Sequence, residues 1–240
     1  MPYQNLDQKQ IHVWIIDLNN VGQFSVSELR QILAMDELAK SERFLFERDR
    51  KCYIVCRSVL RQLIGRYLHI PPQQIIFSYG KFGKPYLSQT MNYRNNLKFN
   101  ISHSENLAIM AFVIGQEIGV DVEKIHGKLD ISSIAQRFFS NHEVAQLQML
   151  PQYLHQEAFF TCWTRKEAFL KARGDGLSFS LEDFDVSVDP REEPRLLAVQ
   201  SAPEEVMRWQ MHQIIPAANY ISTLVVESRT KEFIFNTFNI

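Results

Sequence analysis

The sequence FTCWTRKEAFLK, at residues 160–171, is the stretch on which the expected fold depends. At helical spacing it places Trp163, Glu167 and Lys171 on one face, each four residues from the next. Lys166 lies beside Glu167 on the neighbouring face. A carboxylate flanked by two lysines suits a metal-bound polyanion, because the acid holds the cation and the ammonium groups neutralise the remaining charge. By itself, the same pattern is also typical of an amphipathic helix with ordinary charge pairs.

The composition is that of a globular protein, with 45% hydrophobic and 22% charged residues in a chain of 240. No apolar run is long enough to cross a membrane, and residues 1–10 lack the apolar segment of a signal peptide. The three cysteines form no Cys-x-x-Cys pair, which indicates reduced thiols. We therefore expect a cytoplasmic protein that does not bind membranes.

The charge is distributed unevenly along the chain. Residues 50–104 contain nine Lys or Arg and not one Asp or Glu, although the net charge of the whole chain is −1. The remaining residues hold 17 of the 26 basic side chains and all 27 acidic ones. So long a stretch without a carboxylate predicts a surface that receives an anion. A nucleic acid, a phosphorylated cofactor and an acidic protein would all fit it.

The order of the predicted elements indicates an α+β protein whose two halves are similar in kind. We place the boundary near residues 115–119, which divides the chain into residues 1–116 and 117–240. The hydrophobic patterns predict strands at residues 12–18, 75–79, 97–101, 107–114, 118–122, 184–188, 206–214, 220–226 and 233–238. They predict helices at residues 25–35, 36–46, 49–69, 131–139, 140–150 and 156–173.

Two acids alternate along the predicted strand IGVDVEKI, at residues 118–125. Because the side-chain period of a strand is two, Asp121 and Glu123 point to the same face. The two carboxylates repel each other and need a cation or a shared proton. Together with Glu167 they make a set of three oxygen ligands, which is how proteins usually hold Mg²⁺.

Other familiar site patterns are absent from the sequence. The seven histidines form no His-x-x-x-His pair, so no zinc site is expected. There is no Gly-x-Ser-x-Gly segment and no phosphate-binding glycine loop of the P-loop or dinucleotide kind. These absences argue against a covalent hydrolase and a P-loop NTPase.

Five segments in a fixed order resemble those of a 4′-phosphopantetheinyl transferase of the longer, single-chain class. They are GKPY at residues 83–86, FNISHS at 99–104, IGVDVEKI at 118–125, RFFS at 137–140 and WTRKEAFLKARGDGL at 163–177. Each segment is weak alone, but the set is specific and covers about the middle hundred residues. The resemblance implies two similar α+β halves related by a pseudo-twofold axis, with coenzyme A bound in the cleft between them.

The resemblance also implies an activity and a set of site residues. The family moves the phosphopantetheine arm of coenzyme A onto a serine of an acyl- or peptidyl-carrier protein and releases adenosine 3′,5′-bisphosphate. By that similarity, Mg²⁺ on the pyrophosphate would be held by three acids: Asp121, Glu123 and Glu167. The phosphates would be bound by Lys84, Ser102, His103 and Lys166, with His103 near the 3′-phosphate. Lys171 would steady the pyrophosphate and its leaving group.

Two assignments have alternatives. The resemblance also implies a basic residue that reaches the 3′-phosphate. Aligning the helix with the family by its RSVL segment, at residues 57–60, places this residue at Arg48. An alignment shifted by a few residues would place it at Arg50 or Lys51 instead. The base that takes the proton of the serine hydroxyl is either Glu167 or a metal-bound water that Glu167 orients. Carrier proteins of this kind are acidic, so the basic half suits docking as well as phosphate binding.

Two rival functions use the same residues. A Mg²⁺-dependent phosphate-ester hydrolase acting on nucleic acid or nucleotides would need the same acids, but a pI of about 6.7 is low for a nucleic-acid binder, and we expect no nucleic-acid partner. A non-catalytic coenzyme A-binding module would not be expected to keep all three acids. Two halves in one chain make a self-contained monomer the expected state.

Overall fold

Two central sheets organise the computed structural model, which describes residues 6–20, 24–92, 96–127, 129–174, 179–227 and 232–238. The first has the order β11-β1-β5-β4 and the second the order β6-β10-β9. The strands are β1 (Gln10–Asp17), β2 (Phe77–Tyr79), β3 (Pro85–Leu87), β4 (Leu97–Ser104), β5 (Leu107–Ile114), β6 (Ile118–Lys124), β7 (Phe184–Val186), β8 (Leu196–Val199), β9 (Gln210–Ile214), β10 (Tyr220–Val226) and β11 (Glu232–Thr237).

The helices lie outside these sheets, and α3 and α7 are much the longest, with 22 and 19 residues. They are α1 (Val26–Arg30), α2 (Met35–Ser41), α3 (Glu47–Leu68), α4 (Gln89–Asn92), α5 (Ile131–Phe138), α6 (Asn141–Met149), α7 (His155–Arg173) and α8 (Glu205–Arg208). Among the residues that the structure describes, no helix is long and apolar enough to span a membrane.

The same succession of elements occurs twice along the chain. β1, the long helix α3, the β2–β3 pair and the strands β4 and β5 are followed by β6, the long helix α7, the β7–β8 pair and the strands β9 and β10. The pairing order β1-β5-β4 is repeated as β6-β10-β9. The predicted α+β class, with two halves similar in kind, is thus confirmed.

Three apolar clusters hold the layers together. One packs α3 against the first sheet, with Ile54, Leu60 and Phe112 among its members. A second packs α7 against the second sheet, and a third fills the space between the sheets, where Val13 and Val120 are completely buried. Since alternate residues of a strand face opposite ways, the burial of Val120 on the inner face leaves Asp121 on the side of α7.

Local capping signals set several helix ends. Ser140 accepts a hydrogen bond from the Glu143 amide, and the Glu143 side chain accepts one from the Ser140 amide, which together form a capping box. Helix α7 ends at Gly174, whose φ of 80° is a left-handed conformation that glycine adopts without strain.

Two sequence predictions need correction. The first half of the predicted strand at residues 206–214 is the short helix α8, in which Glu205 accepts hydrogen bonds from Trp209 Nε1 and Arg208 Nη1. The last strand, β11, pairs in parallel with β1. It therefore lies in the sheet of residues 1–116, although the sequence division assigns it to residues 117–240.

Candidate active site

The acids on β6 are held by serines from the neighbouring strand β4. The Ser102 hydroxyl donates to Asp121 Oδ1 at 2.9 Å, and the Ser104 hydroxyl donates to Glu123 Oε2 at 2.9 Å. Asp121 is only 4% exposed, and its Oδ2 has no hydrogen-bond partner among the described residues. Such an orphaned oxygen is costly to bury unless something else binds it.

Helix α7 lies directly on β6, and Gly119 makes the close approach possible. A Cβ at Gly119 would lie 2.8 Å from the Cα of Ala172 and closer still to the Ala168 carbonyl oxygen. The approach brings Lys171 Nζ to 2.7 Å from Asp121 Oδ1 and 3.0 Å from Ser102 Oγ. The helix and the acidic strand are therefore joined directly by the Lys171–Asp121 ion pair.

The acids around Lys171 outnumber the basic groups, and the charge of Asp121 raises the pKa of the other two acids. Burial, followed by the charge of Asp121, raises the pKa of Glu123 to about 7. Burial and the Asp121 charge also raise the pKa of Glu167, whereas Lys171 lowers it. Burial and then the Lys171 ammonium lower the pKa of His103. Three carboxylates beside one ammonium leave negative charge that a proton or a cation must neutralise.

The donor set fits Mg²⁺ in chemistry, although the acids are not gathered into a finished site. No cluster of three or more potential ligands close enough to hold a metal ion occurs within the described parts of the chain. The oxygens present are carboxylates, which Mg²⁺ prefers, and the buried orphan Oδ2 of Asp121 offers a free ligand atom. Ligand binding would have to draw Glu123 and Glu167 towards Asp121.

A cleft of about 380 Å³ opens beside this cluster. One end carries the predicted residues Ser102, His103 and Lys171. The other end is basic and aromatic, and the lining is completed by Lys40, Phe44, Tyr53, Cys56, Arg57, Tyr79, Gly83, Pro85 and Ile101. A cleft that carries Lys171 beside the acid cluster, with aromatic and basic groups in the rest of its lining, suits an elongated, phosphorylated ligand.

Arg57 is held in place beneath the aromatic end of the cleft. Its Nε donates to Glu37 Oε1 at 2.7 Å and its Nη2 donates to the Tyr79 hydroxyl at 2.9 Å. Arg61 Nε donates to the other Glu37 oxygen at 2.5 Å. Two guanidinium groups therefore share one buried carboxylate, and a net positive charge remains below the cleft. The basic side of α3 is turned inward here and is not the open surface that the sequence suggested.

Lys40 was missed by the sequence reasoning. It precedes the acid-free stretch at residues 50–104 and is surrounded by acids in the sequence, so the charge argument passed over it. In the structure it lines the cleft with its ammonium 5.5 Å from the centre of the Tyr53 ring. Arg48, by contrast, is not part of the cleft lining. Its guanidinium is largely exposed and donates to Glu105 Oε2 at 2.7 Å.

Lys84 contacts the backbone of the opposite half. Its Nζ donates to the carbonyl oxygens of Lys171 at 2.6 Å and Ile118 at 3.2 Å, and it lies 3.6 Å from a Glu117 carboxylate oxygen. The ammonium therefore fastens the turn before β3 to the C-terminal end of α7. This arrangement positions Lys171 and does not present Lys84 to the cleft as a phosphate ligand.

The prediction that Lys166 binds phosphate is contradicted by the structure. Its side chain is completely buried, its Nζ lies 2.7 Å from Glu143 Oε2, and it donates to the Leu181 and Phe184 carbonyl oxygens at 2.7 and 2.6 Å. No ligand in the cleft reaches such a group. The adjacent position in the sequence, Glu167, has a pKa that burial and the Asp121 charge raise and that Lys171 lowers.

The aromatic residues near α7 are packing residues. Trp163 stacks on Phe159 and meets Phe138 edge to face, so it packs against the core. Phe139 is 3% exposed and stacks on Phe159, so it belongs to the core. Phe138 remains half-buried beside it.

Comparison with known proteins identifies the family. Residues 117–225 match the model of the 4′-phosphopantetheinyl transferase superfamily, and residues 23–114 match the model of the 4′-phosphopantetheinyl transferase N-terminal region. The chain is 36% identical to the 4′-phosphopantetheinyl transferase HetI of Nostoc sp., over 94% of this chain and 91% of that protein.

Two further relatives match over less of their length. A 4′-phosphopantetheinyl transferase of Bacillus pumilus is 33% identical over 66% of this chain and 65% of that protein. The L-aminoadipate-semialdehyde dehydrogenase-phosphopantetheinyl transferase of Rattus norvegicus is 30% identical over 65% of this chain and 52% of that protein. With its sequence motifs, repeated topology and near-complete match to HetI, the chain belongs to the 4′-phosphopantetheinyl transferase superfamily.

Proposed function

We propose that this protein transfers the 4′-phosphopantetheine arm of coenzyme A to a serine of an acyl- or peptidyl-carrier protein and releases adenosine 3′,5′-bisphosphate. One observation carries the proposal above all. The Lys171 ammonium, which contacts the Asp121 carboxylate on β6, lines a cleft whose other lining residues include aromatic and basic side chains. Such a cleft fits a nucleotide at one end and a reacting pyrophosphate at the other.

Asp121, Glu123 and Glu167 are the residues that would hold Mg²⁺. When bound, the ion neutralises charge on the pyrophosphate oxygens as the bond to the leaving group breaks. The support in this chain is the donor chemistry together with the orphaned Oδ2 of Asp121. Burial and the neighbouring Asp121 charge raise the pKa of Glu123 to about 7, and a bound cation would favour its charged form.

The chain's own cations bind and orient the phosphates. Lys171 and Ser102 stand at the acid cluster and supply donors to the transferred and leaving groups. His103, in the same cleft, suits the 3′-phosphate, as the family resemblance implies. Lys40 is a second candidate for that phosphate and takes precedence over Arg48, because it lines the cleft and Arg48 does not.

Glu167 is the candidate base for the carrier serine, either directly or through a water that it orients. Its pKa is raised by burial, which brings its proton affinity closer to neutral pH, where a general base works best. Positioning of the serine by the docked carrier supplies the remaining acceleration.

We also propose an acidic carrier protein as partner and a monomeric, cytoplasmic enzyme. The basic stretch at residues 50–104 supports the first point through charge complementarity. The three free cysteines, Cys52, Cys56 and Cys162, are consistent with a reducing compartment. Both halves contribute to the cleft within one chain, since Lys171 lies in the second half and the other lining residues in the first, which supports a monomer.

The deciding experiment is to incubate the protein with coenzyme A, Mg²⁺ and an apo carrier protein and to weigh the carrier by mass spectrometry. We expect a gain of one phosphopantetheine on the carrier serine, lost when Mg²⁺ is chelated. The Glu167→Gln variant should fold normally and lose transfer by about 10²-fold or more, because a positioned base is worth that much. An unmodified carrier with every acyl- and peptidyl-carrier tried would refute the proposal, and breakdown of nucleotides without carrier modification would point to the hydrolase.

A further inference from the structure

The seam between the two sheets is bridged by side chains. β4 and β6 are neighbours that belong to different sheets. The Val120 amide donates to Asn100 Oδ1 at 2.9 Å, and the Lys124 amide donates to Ser104 Oγ at 3.1 Å. Both contacts join residues twenty apart, so the two strands run in the same direction. The side chains of β4 occupy the places that backbone carbonyl groups would take in a continuous sheet.

The positions involved alternate along β4. Asn100, Ser102 and Ser104 are two residues apart and project to one side of the strand, towards β6. An acceptor on a side chain lies farther from its own backbone than a carbonyl oxygen does. The strands are consequently held apart at a fixed spacing, which opens room beside β6 for the acids that project from it.

Each serine in this row also acts on one acid. A hydroxyl has one donor and can accept as well. Ser102 accepts from Lys171 Nζ and donates to Asp121 Oδ1. Ser104 accepts from the Lys124 amide and donates to Glu123 Oε2. The hydroxyl of Ser104 thus connects the backbone of β6 to the carboxylate that the same strand carries.

We propose that Ser104 is a positioning residue that sets the orientation of the Glu123 carboxylate for Mg²⁺, with Asn100 fixing the distance between β4 and β6. The inference rests on the proposed function for the identity of the cation. Ser104 touches neither the cation nor the substrate, and it acts through Glu123 alone. Hydrogen bonds to metal-ligating carboxylates typically change metal affinity by about 10- to 100-fold.

The chain offers a matched control for this serine. Ser222, on β10, is completely buried, and its hydroxyl has no hydrogen-bond partner among the described residues. It pairs with Val122 in the β6–β10 register, so it lies on a strand next to β6 as Ser104 does. A Ser222→Ala change removes the same atom from a neighbouring strand without touching an acid.

The test measures Mg²⁺ binding by calorimetric titration of the full chain with MgCl₂, with and without coenzyme A. We expect Ser104→Ala to weaken Mg²⁺ binding by about 10- to 100-fold. Ser104→Thr keeps the hydroxyl and should bind Mg²⁺ within about threefold of the wild type, and Ser222→Ala should bind it unchanged. In transfer assays, the Mg²⁺ concentration for half-maximal rate should rise for Ser104→Ala while the KM for the carrier protein stays the same.

A second arm separates positioning from general loss of structure. In a Glu123→Gln background, Ser104→Ala should weaken Mg²⁺ binding no further, because the two changes act on one ligand. Equal Mg²⁺ affinity of Ser104→Ala and the wild type, an additive loss in the Glu123→Gln background, or a wild type that binds no Mg²⁺ would each overturn the inference. Ser104-dependent Mg²⁺ binding in a protein that modifies no carrier would uphold the inference and overturn the proposed function.

Discussion

Helix α7 carries two lysine–carboxylate pairs of the same length that do different things. Lys166 Nζ lies 2.7 Å from Glu143 Oε2, and Lys171 Nζ lies 2.7 Å from Asp121 Oδ1. The first pair is completely buried, whereas the Lys171 side chain is 30% exposed at the wall of the cleft. The two lysines are five residues apart on one helix, so their roles are decided by what surrounds each pair.

The two ion pairs differ in how many of their polar atoms have hydrogen-bond partners. Glu143 accepts from the Ser140 and Val186 amides, and Lys166 donates to two backbone carbonyl oxygens. Around Asp121 the second oxygen is left without a partner among the described residues, and Glu123 and Glu167 add negative charge. An ion pair whose polar atoms are all hydrogen-bonded has a structural role, whereas an ion pair with an unpartnered oxygen can bind a ligand.

The largest effect that follows from this difference is on stability. Lys166→Met should lower the free energy of unfolding by about 3–5 kcal/mol, because it leaves the Glu143 carboxylate buried without its cation. The measurement is urea denaturation followed by circular dichroism. Transfer activity per folded molecule should stay within a few-fold of the wild type, because Lys166 does not reach the cleft. A stable Lys166→Met protein with greatly reduced transfer would restore Lys166 as a phosphate ligand.

The matched change at the other pair should affect catalysis. Lys171→Met should reduce the transfer rate by about 10²- to 10³-fold, because it removes a preorganised positive charge from the developing negative charge of the reaction. Measured with Mg²⁺ present, its free energy of unfolding should change by less than about 1 kcal/mol, since the lysine is partly exposed. Lys171→Arg, which keeps the charge, should recover part of the rate. Equal rates for Lys171→Met and the wild type would contradict the role given to Lys171.

Sequence periodicity predicted the ends of α7 almost to the residue, but it did not distinguish the buried role of Lys166 from the cleft position of Lys171. The predicted helix at residues 156–173 is found as His155–Arg173, and Asp121 and Glu123, which were predicted to share one face of β6, both accept from β4 serines. The burial of Lys166 depends on Glu143 and on residues 181–184, which lie far along the chain. Helical spacing contains no information about such partners.

Other differences between the predicted and the observed structure have the same cause, because they too depend on contacts between distant parts of the chain. The predicted strand at residues 97–101 extends to Ser104, because the polar SHS segment continues to pair with β5 and turns its serines towards β6. The prediction of Arg48 over Arg50 or Lys51 depends on counting along a helix, and such counting does not show which side chains line the cleft.

The smallest expected effect is on the pH dependence of stability. It further distinguishes the acid cluster around Asp121 from the buried Glu143 site. Glu123 has its pKa raised to about 7 from an ordinary 4.5, so the folded protein keeps a proton there that the unfolded chain has released. The stability from this group is fully present below pH 4.5 and is lost as the pH rises through 7. Between pH 5 and pH 8, without Mg²⁺, the wild type should lose about 1–2 kcal/mol relative to Glu123→Gln, allowing for solvent screening of a partly exposed carboxyl.

Parallel stability curves for Glu123→Gln and the wild type between pH 5 and pH 8 would show that Glu123 is charged in the folded protein at neutral pH. The other titrating groups are common to both proteins, so their contributions cancel in the comparison. Adding Mg²⁺ supplies a further check. Because the ion binds the ionised carboxylate, it should stabilise the wild type more at pH 8 than at pH 6, and it should stabilise Glu123→Gln less at both. The Glu143 site, already closed by Lys166 and backbone amides, should give no such response to the cation.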